Sequence, residues 1–118
     1  MKKYKIIKID DFDCYTLENE MGQKFKIGIT FYDIEPTPQR DEFIYLSEKL
    51  FDVKANEGLR HFSFGGLSEL YGRKVTEEEI ELANAFVDSP NTYHGTISDE
   101  ILIIERNNER IFLKRFYG

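Results

Sequence analysis

The chain has little of what secreted scaffolds, membrane proteins and most enzymes depend on. One cysteine, Cys14, stands among 118 residues, so no intramolecular disulfide can form and a small oxidised scaffold is excluded. Tryptophan is absent, and only His61 and His94 supply side chains that titrate near neutrality by default. No apolar run approaches the roughly 18 residues of a membrane-spanning helix. The opening MKKYKIIKIDDFD reaches two aspartates before a secretory apolar region is complete, and the closing KRFYG offers no lipidation signal. These gaps lead to the expectation of a cytoplasmic protein with no membrane association.

What is present is enough to fold. Ten Phe and seven Tyr within a 41% hydrophobic composition supply apolar surface to offset the entropy of ordering, which argues against disorder. The length suits a single domain over residues 1–118. A net charge of -6 works against non-specific affinity for a phosphate backbone. The charge is unevenly spread, however. Lys2, Lys3, Lys5 and Lys8 open the chain with no acid among them, and Arg106, Arg110, Lys114 and Arg115 near its end face only Glu109. Termini lying close together would give an acidic protein a local basic face.

The clearest periodicity is QKFKIGITFYD, where Phe25, Ile27, Ile29 and Phe31 alternate with Lys24, Lys26, Gly28 and Thr30, the period of a strand with one buried face. Before it, KYKIIKI and CYTLEN read as a first strand interrupted at Asp10 to Asp13, with NEMGQ as a hairpin turn. EFIYL is a further short strand, SEKLF adds a helical turn begun by Ser47, and LRHFSF is a strand ending at Gly65 and Gly66. A helix is expected from Glu77 to Val87, started by the capping-box pair Thr76 and Glu79. Its apolar arc comprises Leu82, Phe86, Ala83, Val87 and Ile80, and Pro90 marks its end. EILIIER, apolar on both faces, and RIFLKRFYG are joined through Asn107 and Asn108, which suit a tight turn.

Three strands, a helix and two strands, with mid-strand Gly28 able to accommodate a sharp bend, resemble the OB-fold, a small five-stranded barrel with a helix between its third and fourth strands. The resemblance implies a mainly β, α+β domain built as a small antiparallel OB-like barrel. It departs from that pattern between Glu42 and Phe64, which is too long for one strand and needs an extra strand or an insertion. An open antiparallel sheet packed by one helix is the alternative. The fold hosts many functions, so element order alone names none.

No local pattern identifies a reaction, and the reading is of a non-catalytic domain without cofactor or metal. RHFSFGGLSELYGRK lacks the spacing of a phosphate loop: five residues separate Gly66 from Gly72, and GRKVT stands where Gly-Lys-Ser/Thr is required. It reads as a turn after a strand, held by Tyr71 and Arg73. His61 alternates with Phe62 and faces outward, His94 lies in a run of turn formers, and Cys14 beside Tyr15 reads as a small core residue. Asp10, Asp11 and Asp13 lack the Gly and distant Glu of a calcium loop. The aromatic excess points to binding. Tyr32 and Tyr45 are expected to look outward, and Lys24 and Lys26 share a face with Tyr32. Lys24, Lys26, Tyr32, Tyr45, Tyr71 and Arg73 are therefore the candidate contact residues. A protein is the first expected partner and single-stranded nucleic acid the second.

Overall fold

Turn formers divide the alternating segments into short strands, and a computed structural model describes residues 1–47, 50, 61–66, 74–88 and 101–116. Strands β1 (Lys2–Asp10) and β2 (Cys14–Asn19) form an antiparallel hairpin. The acidic break expected within one strand is thus a turn between two, with Phe12 and Asp13 at φ 64° and 56°. The next turn is held by Asn19, whose Oδ1 accepts from the Met21 N–H at 3.0 Å and the Gln23 N–H at 2.8 Å. Gly22 there takes φ 82°, a conformation that costs glycine little. Strand β3 (Lys24–Tyr32) follows, then β4 (Phe43–Leu46) and β5 (His61–Gly65). The Leu50 N–H donates to the Ser47 carbonyl at 3.2 Å, the turn expected to begin at Ser47.

Helix α1 (Glu77–Asp88) starts at the expected capping box: the Glu79 N–H donates to Thr76 Oγ1 at 3.2 Å and the Thr76 N–H to Glu79 Oε1 at 3.3 Å. Strands β6 (Ile101–Arg106) and β7 (Glu109–Arg115) close the described chain. Asn107 and Asn108 between them have φ 50° and 64°, the left-handed pair a two-residue hairpin needs.

The seven strands pair in the order β1-β2-β3-β5-β7-β6-β4, and β4 pairs back to β1, so the sheet closes into a ring. Closure rules out the open-sheet alternative. Every pairing is antiparallel except β3 with β5. Two details differ from the five-stranded expectation. The long segment before the helix contributes two strands, β4 and β5, and the helix follows the fifth strand rather than the third. Gly28 is where β3 changes partners: it is the last residue paired with β2, opposite Cys14, and the first paired with β5, opposite His61. The irregularity lies on β1, where the register shifts between Ile6 and Lys8 and leaves Ile7 as a bulge.

Two apolar clusters result. Tyr4, Ile6, Tyr15, Leu17, Ile27, Ile29, Ile44, Leu46, Phe62, Phe64, Leu102, Ile104 and Leu113 belong to the cluster inside the ring. A second lies between the outside of the ring and α1, where Ile80, Ala83, Phe86 and Val87 meet Tyr45, Ile101, Ile103 and Phe112. Strand β6 is buried on both faces because alternate residues serve the two clusters, which explains its unbroken apolar run. Leu82, at the edge of the expected helical arc, stays 45% exposed, so the packing strip is narrower than the arc. Lys114 ties the helix to β7 through Glu79 at 2.8 Å. Arg110 reaches Asn84 at 3.0 Å and Asp88 at 2.9 Å, placing a cation near a helix C-terminus that carries none of its own. Gly66 sits where a Cβ would come within 2.8 Å of the Asp33 carbonyl oxygen, which restricts that position to glycine. Among the described residues no helix is long and apolar enough to cross a membrane.

Candidate interaction surface

The outer wall of the ring is covered on one side and bare on the other. Over β4 and β6 the outward residues Tyr45, Ile101 and Ile103, with Phe112 of β7, are apolar and lie under α1, while Arg110 and Lys114 of β7 pair with the helix. Over β1, β2 and β3 the outward row is polar, and its cross-strand register sets out three rungs. Lys5, Glu18 and Lys24 form the first; Lys8, Thr16 and Lys26 the second; Asp10, Cys14 and Gly28 the third, which His61 on β5 extends. Neighbouring strands are about 4.8 Å apart and successive rungs roughly 7 Å. The β1 bulge is what makes the second rung. Without it Ile7 would face outward and Lys8 inward; with it Lys8 stands beside Thr16, and Ile9 opposes the inward Tyr15.

Within this wall Lys24 and Lys26 are exposed. Lys8 lies 3.4 Å from Asp10, and Lys5 lies 3.8 Å from Asp41, surface pairs of small energy. Thr16 differs from its neighbours: it is only 8% exposed, and its hydroxyl has no hydrogen-bond partner among the described residues. A buried hydroxyl without a partner is unfavourable by about 1–3 kcal/mol.

Beside the third rung, the hydroxyl of Thr30, which stands opposite Ser63, lies 3.4 Å from Asp13 Oδ2 and 2.5 Å from His61 Nε2. Which of the Thr30 hydroxyl and His61 Nε2 donates to the other follows the imidazole tautomer. Cys14 shares the rung across Gly28, half-buried on the outer side, whereas Tyr15 and Leu17 take the core side. That corrects its expected place in the core: the hairpin register puts residues 14, 16 and 18 outside. Among the described residues no group of three or more His, Cys, Asp or Glu side chains gathers to hold a metal. A depression of about 230 Å³ is lined by Lys3, Lys5, Glu18, Asn19, Glu20 and Phe43. Another of about 500 Å³, lined by Asn84, Glu105, Asn108, Arg110 and Phe112, lies beside the helix. Neither contains a histidine or the cysteine.

The β1–β2 turn carries the most exposed large apolar side chain among those described, Phe12 at 94%. Its φ of 64° is uncommon for a bulky residue, and Asp10, Asp11 and Asp13 surround it in sequence. Nearby, burial pushes the Tyr15 phenol up to about 12, with the Asp13 carboxylate adding to the effect.

Bare and covered walls meet at Arg106. Its Nη2 donates to Glu42 Oε1 at 2.9 Å, its Nε to Glu42 Oε2 at 2.5 Å and its Nη1 to the Pro36 carbonyl at 3.1 Å. One planar cation thereby anchors the Pro-containing loop that links β3 to β4. The hydrogen bonds that Arg106 donates to Glu42 hold its carboxyl below the usual range and raise the guanidinium pKa.

The expected contact residues therefore separate. Lys24 and Lys26 share the bare wall with Lys5 and Lys8. Tyr32 lies at the far end of β3, roughly 20 Å along the strand from Lys26, half-buried with its ring edge-to-face on Phe116 at 5.6 Å. Tyr45 does point out of the ring, but α1 covers that side, leaving it 8% exposed with its hydroxyl donating to Glu105 Oε2 at 2.7 Å. Burial and that carboxylate raise its pKa. Tyr71, Arg73 and His94 lie outside the described residues. Phe12 and Thr16 were not legible as site residues. The one sequence signal was a phenylalanine among turn-forming aspartates in DDFD. Comparison of the chain with protein-family models, with curated proteins and with solved structures finds no match in any of the three.

Proposed function

We propose that the protein is a cytosolic, non-catalytic domain that binds another protein through the β1–β2 turn, with Phe12 as the anchor. The observation that carries this reading is a phenylalanine left 94% exposed at positive φ on an acidic turn. Exposure forgoes about 1.5–3 kcal/mol of burial, and the left-handed backbone adds about 1–2 kcal/mol of strain. An apolar pocket on a partner recovers the first, and a rim of Lys or Arg around that pocket complements Asp10, Asp11 and Asp13.

The nucleic-acid alternative draws on the exposed Lys24 and Lys26. It is the weaker reading because Tyr45 is buried and Tyr32 is packed on Phe116, so neither stands beside these lysines as a stacking platform. The test is affinity capture with wild type and Phe12→Asn, with and without nuclease and at two salt concentrations. Asn tolerates positive φ, so the variant keeps or slightly raises Tm. Protein partners that survive nuclease and disappear with Phe12→Asn support the reading. Capture that collapses with nuclease, or is indifferent to Phe12, overturns it.

A further inference from the structure

The second rung of the bare wall has features that a solvated sheet surface does not require. Thr16 is 8% exposed with an unpartnered Oγ1, and its cross-strand neighbours on either side are Lys8 and Lys26, about 10 Å apart across the rung. Both lysines are exposed, on four-carbon stems long enough to bring two ammonium groups over the threonine between them. A hydroxyl donor flanked by two cations is a set of partners for an oxyanion. We propose that Lys8, Thr16 and Lys26 bind a single phosphate monoester, the two ammonium groups neutralising the dianion while the Thr16 hydroxyl donates to one of its oxygens.

The neighbouring rungs set the size of the ligand. Roughly 7 Å to one side along β2 stands Glu18, and as far to the other is the rung holding Asp10. A phosphodiester chain running along β2 meets Glu18, flanked by Lys5 and Lys24, on one side and Asp10 on the other, whereas one isolated phosphate needs only the second rung. Lys8 is paired with Asp10 at 3.4 Å, with side chains 67% and 39% exposed. A pair this exposed is weak and yields to a dianion. Thr16 Oγ1 is itself buried, so binding requires a side-chain rearrangement that uncovers it while the ladder stays in place. This site is independent of the turn around Phe12, and Phe12→Asn leaves it unchanged.

The experiment is a titration of the isotope-labelled protein with inorganic phosphate, O-phosphoserine, a phosphoserine peptide and an oligothymidylate lacking terminal phosphate, followed by amide NMR shifts at constant ionic strength. Saturable shifts at Thr16, Lys8 and Lys26 with inorganic phosphate and O-phosphoserine are expected. Removing one charged partner by Lys26→Gln weakens binding about tenfold, and Thr16→Val, which keeps the side-chain shape, weakens it several-fold. Tighter binding of the phosphopeptide than of O-phosphoserine identifies a phosphorylated side chain as the source; equal binding identifies a free monoester. Equal shifts with added chloride, or variants that bind as wild type, overturn the proposal. So does tighter binding by oligothymidylate across all three rungs, which assigns the wall to nucleic acid. Lys26 is exposed, so loss of folding does not confound that variant.

Discussion

The covered and bare walls are built from the same alternation of residues, yet they end as a core and as a charged surface. On β4 and β6 the outward residues Tyr45, Ile101 and Ile103 are buried because α1 lies over them. On β1, β2 and β3 the outward residues are Lys5, Lys8, Glu18, Lys24 and Lys26, and none belongs to either apolar cluster. Alternation identifies a row as outward from the ring. It does not identify that row as solvent-facing, and Tyr45 shows the difference.

Substitution should separate the walls most strongly in the second cluster. Ile103→Ala removes a fully buried side chain between ring and helix, and a loss of about 2–5 kcal/mol in urea unfolding is expected. A loss below about 0.5 kcal/mol would mean that α1 does not hold this wall.

At the seam, Arg106→Ala is expected to lower stability by about 1.5–3 kcal/mol by removing the charged donor of Glu42, which keeps the Gln39 N–H, and the donor of the Pro36 carbonyl. It also changes the pH profile. The Glu42 pKa is depressed in the fold, so its contribution is complete above the unfolded carboxyl value of about 4.3 and is lost as pH falls through the lower folded value. Stability measured from pH 6 down to pH 2 should therefore fall less steeply in Arg106→Ala than in wild type.

The smallest effect has the opposite sign. Thr16→Val removes a buried hydroxyl that lacks a partner, and a gain of about 1 kcal/mol is expected, with weaker phosphate binding in the same variant. A loss of stability would show that the hydroxyl is already satisfied and that the bare wall is ordinary sheet surface.

Much of the architecture was legible because it depends on local chemistry. The capping box of Thr76 and Glu79, the paired asparagines at 107 and 108 and the Asn19 to Gln23 turn each use partners a few residues apart. The candidate surface was less legible because its groups come from three strands. Lys24 and Lys26 were visible as an exposed row, but their neighbours Thr16 and Lys8 enter through pairing register, and Lys8 only through the bulge at Ile7. The helix was expected between third and fourth strands because the five-stranded pattern left no place for an extra strand, although EFIYL and LRHFSF were each legible and form β4 and β5 ahead of it.

By itself the sequence determined a mainly β chain with one capped helix and one inward apolar row per strand, since periodicity and turn residues act within a few positions. Tertiary structure alone decided which outward rows are covered, which strands are neighbours and which side chains share a rung. Those outcomes depend on contacts between residues far apart in the chain, such as Arg106 with Glu42 and Tyr45 with Glu105, whose geometry no local pattern encodes.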